Sequence, residues 1–158
     1  MKILLAIDGS PCSDAAIKEV ARWPCLAHSE VRVITVDAPV DRGMFKSSSG
    51  NAFDELVKQQ RAESAKYLRD ATTFLEQNSS GVRVTSALLE GWPKDAIVTE
   101  ADRFGADMVV VGSHGYGPVR RFFLGSVSLF VAHQAPCSVL IVRQPPQNAM
   151  AGNTPATA

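Results

Sequence analysis

The segment from Met108 to Val142 constrains the fold more than any other part of this chain. Its apolar run Met108–Val111 predicts a buried strand, and Gly112 ends that strand. A loop with widely spaced glycines follows, and an apolar helix is expected from Ser126 to about Gln134. A second apolar run, Ser138–Val142, predicts another strand. The segment therefore predicts a strand–loop–helix–strand unit.

The rest of the chain repeats this alternation of short apolar runs and helices. Strands are predicted at Ile3–Ile7, Val31–Val36 and Val82–Leu89. Helices are predicted to begin at Pro11 after the N-cap Ser10, at about Asp54, and at Pro93, the last of them ending at the C-cap Gly105. A polar loop, residues 38–53, precedes the long second helix. This alternation predicts an α/β fold with a parallel sheet covered by helices on both faces, although the order of the strands does not follow from it.

Composition and charge limit the classes of function. A chain of 158 residues is long enough for one domain with a substantial core, which we place at residues 1–143. Its 16 basic and 16 acidic side chains cancel, so we expect no nucleic-acid or membrane partner. No run approaches the roughly 18 apolar residues of a membrane span, and the start of the chain is unlike a signal peptide.

The cysteines and the C-terminal tail add two expectations. Three cysteines without metal-ligand spacing favour free thiols and a cytoplasmic location. Residues 144–158 contain three prolines and few large apolar side chains, so this tail is expected to be disordered.

A glycine pattern lies between the strand and the helix of the opening segment. Gly112, Gly115 and Gly125 are followed by Ser126, which gives the spacing G-x2-G-x9-G-S. Glycine lets a ligand approach the main-chain N–H groups without a Cβ in the way. Ser126 is predicted to be the N-cap of the helix, and a free helix N-terminus attracts phosphate. The alternative is a long loop whose glycines serve only its turns.

Other candidate residues follow the ends of the predicted strands, where ligands bind in open parallel sheets. Asp8 is a candidate for hydrogen bonds to a ribose or an adenine, or for metal binding, and it is equally a carboxylate at a helix entrance. His114 and Arg120 in the glycine loop are candidates for phosphate contacts, and exposed loop side chains are the alternative. Trp23 and Trp92 are predicted to pack at helix ends.

Other nucleotide and catalytic motifs are missing from the sequence. It contains no G-x4-G-K-[ST], and its first strand–helix turn lacks G-x-G-x-x-G. A nucleophile elbow, G-x-S-x-G, is also missing. These observations disfavour P-loop, dinucleotide-binding and α/β-hydrolase chemistry.

The chain resembles universal stress proteins of the nucleotide-binding type. The resemblance covers residues 2–143 and is carried by the full glycine pattern, by ILLAIDGS at the start and by PCSVLIVR at the end. It implies a five-stranded, Rossmann-like fold of the adenine nucleotide alpha hydrolase-like kind, with strand order 3-2-1-4-5. Members often have proline or valine where this chain has Ala6.

The resemblance also implies a ligand. ATP is expected with its adenine and ribose near the ends of the first two strands and its phosphates on the glycine loop, with Mg²⁺ or Mn²⁺ bound through the phosphates. The residues predicted to contact the nucleotide are Ala6, Ile7, Asp8, Val36, Val111, Gly112, His114, Gly115, Arg120, Gly125, Ser126 and Val127.

Three functions are compatible with these residues. The favoured one is an ATP-binding stress or signalling protein that forms a homodimer. In the implied strand order Ser138–Val142 lies at a sheet edge, so two copies are expected to pair there. The first alternative is a slow ATPase or autophosphorylating enzyme, which is less favoured because no well-placed general base accompanies the glycines. The second alternative is an interaction domain without a nucleotide.

Overall fold

The fold is built from five strands and four helices that alternate along the chain. A computed structural model describes residues 1–24, 27–41, 50–115 and 124–144. The strands are β1 Lys2–Ala6, β2 Glu30–Asp37, β3 Arg83–Glu90, β4 Met108–Gly112 and β5 Ser138–Val142. The helices are α1 Pro11–Ala21, α2 Gly50–Asn78, α3 Pro93–Phe104 and α4 Ser126–Gln134. The expected disordered tail lies outside the described residues from position 145 onward.

The strands form one parallel sheet with the order β3-β2-β1-β4-β5. This confirms the α/β class predicted from the alternation and the strand order implied by the resemblance. The register pairs Ala6 at the end of β1 with Ile34 of β2 and with Val111 of β4. The carboxyl ends of β1, β2 and β4 therefore lie side by side at the centre of the sheet.

Each face of the sheet has its own hydrophobic core because successive side chains of a strand point to opposite faces. On one face, α1 and α2 cover residues that include Ile3, Leu5, Val31, Val33 and Val110. On the other face, α3 and α4 cover residues that include Leu4, Ala6, Ile34, Val109 and Val111. Ile3, Leu4 and Leu5 are fully buried, and β1 is apolar from Ile3 to Ala6 because both faces of the strand are covered there.

Local signals fix the ends of two helices as predicted. The Ser10 hydroxyl oxygen accepts a hydrogen bond from the Ser13 N–H at the start of α1, and Pro11 is the first helical residue. Gly105 ends α3 with φ of 65°, a left-handed conformation that favours glycine. Helix α2, in contrast, begins at Gly50 instead of Asp54, so the predicted 38–53 loop is shorter than expected. No acidic side chain lies in the first turn of α2, so this one sequence signal for a helix start is missing there.

The two tryptophans differ in their environment. Trp23 packs against the core beside α1, and its indole N–H donates to Glu19 Oε1 at 3.3 Å. The packing prediction is wrong for Trp92, which is 62% exposed. Trp92 is the N-cap residue of α3 and follows the end of β3 by two residues, and its side chain is not packed into either core among the described residues. Within the described ranges, no helix is long and apolar enough to cross a membrane.

Candidate functional site

A cavity of about 300 Å³ opens at the carboxyl ends of β1, β2 and β4. Its walls come from these three strands, from the start of α3 and from the loop and helix start that follow β4. It is lined by Ala6, Ile7, Asp8, Ser13, Ile34, Val36, Pro93, Ile97, Val111, Gly112, His114, Gly115, Gly125, Ser126, Val127 and Ser128. In an open parallel sheet this is the expected position of a ligand.

The structure brings the predicted nucleotide contacts together around this one cavity. Every such residue in the described part of the chain lines it, although these residues are far apart in the sequence. Arg120 lies outside the described residues. The sequence analysis did not identify five further lining residues, which are Ser13, Ile34, Pro93, Ile97 and Ser128.

One end of the cavity is apolar. Ala6 and Ile34 contribute buried side chains from the sheet, and Ile97 of α3, only 4% exposed, faces them. Val36 and Pro93 extend this surface. An apolar cavity wall of this kind suits an aromatic base.

The opposite end is formed by the three glycines, and an added Cβ would meet different surroundings at each of them. A Cβ at Gly112 would lie 2.8 Å from the carbonyl carbon of Cys12, so Gly112 lets α1 pack against the end of β4. A Cβ at Gly115 would lie 2.6 Å from Asp8 Oδ2. A Cβ at Gly125 would lie 3.3 Å from Ser113 O, which is a tight contact but not a clash. Gly112 is therefore needed for packing, whereas Gly115 leaves room for the Asp8 carboxylate.

Asp8 forms the hydrogen bond expected of a carboxylate at a helix entrance and also lines the cavity. Its Oδ1 accepts a hydrogen bond from the Ser10 N–H at 2.9 Å, as a carboxylate at a helix entrance does. Its Oδ2 faces Gly115 across the cavity wall. One carboxylate oxygen is thus fixed by the turn, and the other lies beside the glycine loop.

The start of α4 differs from the prediction by one residue. Gly125, with φ of −62° and ψ of 151°, is the N-cap, and its carbonyl accepts the Leu129 N–H at 2.9 Å. The prediction of Ser126 as N-cap is therefore wrong, because the helical hydrogen bonds begin one residue earlier and Ser126 is the first helical residue. Gly125 has no side chain to cap the first turn. The N–H groups of this turn, which form the positive end of the helix dipole, thus lie at the cavity. This end of α4 is a favourable place for an anion.

His114 and metal-ligating groups complete the inventory of the site. The His114 Nδ1 lies 3.0 Å from Ser113 Oγ, so one ring nitrogen is engaged within the loop. Among the described residues there is no cluster of three or more histidine, cysteine, aspartate or glutamate side chains suited to a metal ion.

Known proteins are similar to this chain in sequence and in fold. The model of the universal stress protein family matches residues 1–143. A universal stress protein of Thermus aquaticus is 38% identical over 144 residues, covering 89% of this chain and 97% of that protein. The solved structure of the hypothetical protein MJ0577 is 28% identical with a TM-score of 0.75, covering 92% of this chain and 96% of that one. A universal stress protein solved in complex with cAMP is 25% identical with a TM-score of 0.63, covering 92% and 98%.

Proposed function

Because the chain belongs to the universal stress protein family, we propose that it binds ATP in the cavity described above. The observation that carries this proposal is the arrangement of the cavity, with an apolar end and a glycine-lined end at a helix N-terminus. The solved relative in complex with cAMP supports an adenine nucleotide as the ligand class. ATP, with three phosphates, makes the fullest use of the glycine end.

The two ends of the cavity support one orientation of the proposed nucleotide. The adenine lies against Ala6, Val36 and Ile97, where burial of its ring favours binding. The ribose lies near Asp8, whose carboxylate accepts hydrogen bonds from its hydroxyl groups. The phosphates lie on Gly115 and Gly125 and at the start of α4, near Ser126 and Val127.

A divalent ion would be held mainly by the nucleotide. Since the described residues offer no cluster of metal-ligating side chains, the oxygens of the phosphates are its natural ligands. Asp8 is the carboxylate of the cavity wall that could add one protein oxygen. Mg²⁺ or Mn²⁺ bound in this way would neutralise phosphate charge.

The test of ATP binding uses the wild-type protein. It is purified without added nucleotide, any bound molecule is released by heat and identified by mass spectrometry, and the stripped protein is titrated with Mg-ATP in a calorimeter. The expected result is a saturable heat with one site per chain, reduced by competing AMP and cAMP. Absence of a bound nucleotide together with absence of a heat signal would contradict the proposal and favour an interaction domain without a nucleotide.

Binding is proposed as the function in preference to efficient catalysis. In the described part of the cavity wall, Asp8 and His114 are the candidates for a general base. However, Asp8 Oδ1 is engaged by the Ser10 N–H and His114 Nδ1 lies beside Ser113. Single-turnover hydrolysis of ATP distinguishes the alternatives, because turnover at ordinary enzyme rates of about 1–1000 s⁻¹ would favour an ATPase.

We also propose that the nucleotide state acts through a homodimer formed by β5. Among the described residues, no strand pairs with the outer edge of β5, and its last four residues, Val139–Val142, are partly exposed. An uncharged, apolar edge strand normally requires pairing or cover. An antiparallel pair of β5 strands about a two-fold axis supplies it.

Sedimentation equilibrium with and without Mg-ATP tests the dimer. We expect dimers at tens of micromolar protein, with an association constant that changes when Mg-ATP is present. A wild-type protein that stays monomeric under both conditions would contradict this part of the proposal. The cytoplasmic location and the lack of nucleic-acid and membrane partners stay predictions from charge and cysteine content.

A further inference from the structure

The backbone of residues Gly112–Gly115, which we name the loop root, is held by an unusual set of hydrogen bonds. Three consecutive carbonyls in it each accept a hydrogen bond, two from the start of α4 and one from Ser10 at the start of α1. These bonds run from Ser128 Oγ to Gly112 O at 2.6 Å, from Gly125 N to Ser113 O at 2.8 Å, and from Ser10 Oγ to His114 O at 3.2 Å. The Ser113 N–H in turn donates to Val142 O of β5 at 2.7 Å. The loop root is therefore fixed from α1, from α4 and from the sheet.

These bonds determine the direction of the N–H groups as well. In a trans peptide the N–H points opposite to the C=O, and the structure has no cis peptide bond in its described residues. The His114 carbonyl points toward Ser10, which is only 1% exposed. The N–H of Gly115, in the same peptide unit, consequently points away from this buried side chain, and Gly115 itself lines the cavity.

We propose that Ser10 and Ser128 are positioning residues for the phosphates of the nucleotide, an inference that rests on the ATP binding proposed above. Their hydroxyl groups do not themselves need to touch the ligand. Ser10 orients the peptide unit that carries the Gly115 N–H. Ser128 fixes the Gly112–Ser113 peptide unit from which the loop starts, and the N–H of that unit is already bonded to Val142 O. Together they hold the loop root so that the N–H groups that follow it are in place before a phosphate arrives. Pre-oriented donors of this kind bind an anion without the cost of ordering the loop.

The bond made by Ser128 is a tertiary contact. A serine within a helix commonly donates to the carbonyl four residues earlier. Ser128 instead donates to Gly112 O, 16 residues earlier, and is only 4% exposed. Alanine has a higher helix propensity than serine, so the stability of α4 alone does not account for this residue.

Ser10 links three parts of the cavity wall. Its hydroxyl oxygen accepts the Ser13 N–H of α1 while its proton goes to His114 O. Its own N–H donates to Asp8 Oδ1. The same residue thus holds the start of α1, the Asp8 carboxylate and the loop root in one arrangement.

The test compares ligands with and without phosphates in the variant Ser128→Ala. The dissociation constants for ATP and for adenosine are measured by calorimetry, with adenosine displaced by ATP where its own heat is small. We expect the dissociation constant for ATP to rise roughly five- to tenfold, the effect of one lost hydrogen bond, while that for adenosine changes less than about twofold. Thr72→Val is the matched control, because it removes a half-buried hydroxyl that donates to Leu68 O within α2, far from the cavity.

The ratio of the two dissociation constants separates positioning from a general structural role. An equal loss of affinity for ATP and for adenosine, or an unchanged affinity for ATP, would overturn the inference while leaving the proposed function intact. A wild-type protein that binds no ATP would overturn both. Ser10→Ala provides an independent second test if Ser128→Ala does not fold. It is also expected to weaken the binding of ATP more than the binding of adenosine.

Discussion

Replacing Gly112 with alanine should destabilise the folded protein itself, in addition to any effect on a ligand. The new methyl group would lie 2.8 Å from the Cys12 carbonyl carbon and 2.9 Å from the Ser13 nitrogen. Carbon atoms pack at about 3.5–4.0 Å, so the strand end and the helix must separate by about 1 Å. Both contacts are backbone atoms of the first turn of α1, and no side-chain rotation can relieve them.

The size of the effect follows from this overpacking. Extra atoms in a well-packed region cost about 1–3 kcal/mol in the free energy of unfolding. For a chain of this length that corresponds to a fall in melting temperature of roughly 2–12 °C. Urea unfolding followed by circular dichroism measures the free energy of unfolding. If the slope of this free energy against urea concentration is the same in the variant and the wild type, the two proteins expose a comparable surface on unfolding.

Gly125→Ala is the matched control within the same glycine pattern. The φ and ψ of Gly125 suit any residue, and the added Cβ would meet its nearest neighbour, Ser113 O, at 3.3 Å. We expect a loss of about 0.5–1 kcal/mol, because alanine is a poorer N-cap than glycine. If Gly112→Ala proved as stable as Gly125→Ala, or more stable, the steric argument for Gly112 would be refuted.

Three further predictions concern the ligand, the edge strand and a thiol. Gly125→Val should fold yet show no calorimetric binding of Mg-ATP, because its branched side chain would occupy the space at the start of α4; binding at wild-type affinity would rule out a phosphate there. Ile141→Lys should lower the urea midpoint, because Ile141 packs against the core under α3 and α4; an unchanged midpoint with loss of dimers would place it at the partner surface instead. Burial raises the pKa of the Cys137 thiol, with a smaller contribution from the charge of Asp107. Alkylation of Cys137, followed by peptide mapping, should thus be slower in the folded chain than in urea. The free energy of unfolding should fall as the pH rises through the range in which thiols ionise, since the thiol of the unfolded chain ionises first. Equal alkylation rates in the folded chain and in urea would contradict a raised pKa.

The fold was predictable where the signals are local. Apolar runs located the strands to within one residue at each end, and Ser10 with Pro11 located the start of α1. The start of α2 was missed because its first turn carries no acidic residue. The strand order came from the resemblance, because patterns within single strands contain no information on which strands are neighbours.

The candidate site was predictable in part for the same reason. Glycines at fixed spacing and residues at strand ends can be read along the chain, and the structure brings them to one cavity. Ser128 carries no such signal, because its hydrogen bond is to a carbonyl 16 residues away in the sequence. Trp92 was expected to pack, but its side chain is exposed. Its exposure depends on where the start of α3 lies relative to the sheet, which is a property of the tertiary structure.

The three glycines of the pattern therefore do not carry equal weight as indicators of phosphate binding. Gly112 is explained completely by the close approach of α1, so its presence would be required even in a protein of this fold with an empty cavity. Among the described residues, Gly115 and Gly125 are not explained by a backbone clash of this kind. A Cβ at Gly115 would meet the end of the Asp8 side chain, and the nearest described atom to a Cβ at Gly125 is Ser113 O at 3.3 Å. The proposal of ATP binding thus depends on Gly115, Gly125 and the uncapped start of α4. Loss of ATP binding in a Gly112 variant must accordingly be corrected for the unfolded fraction before it is attributed to the phosphate site.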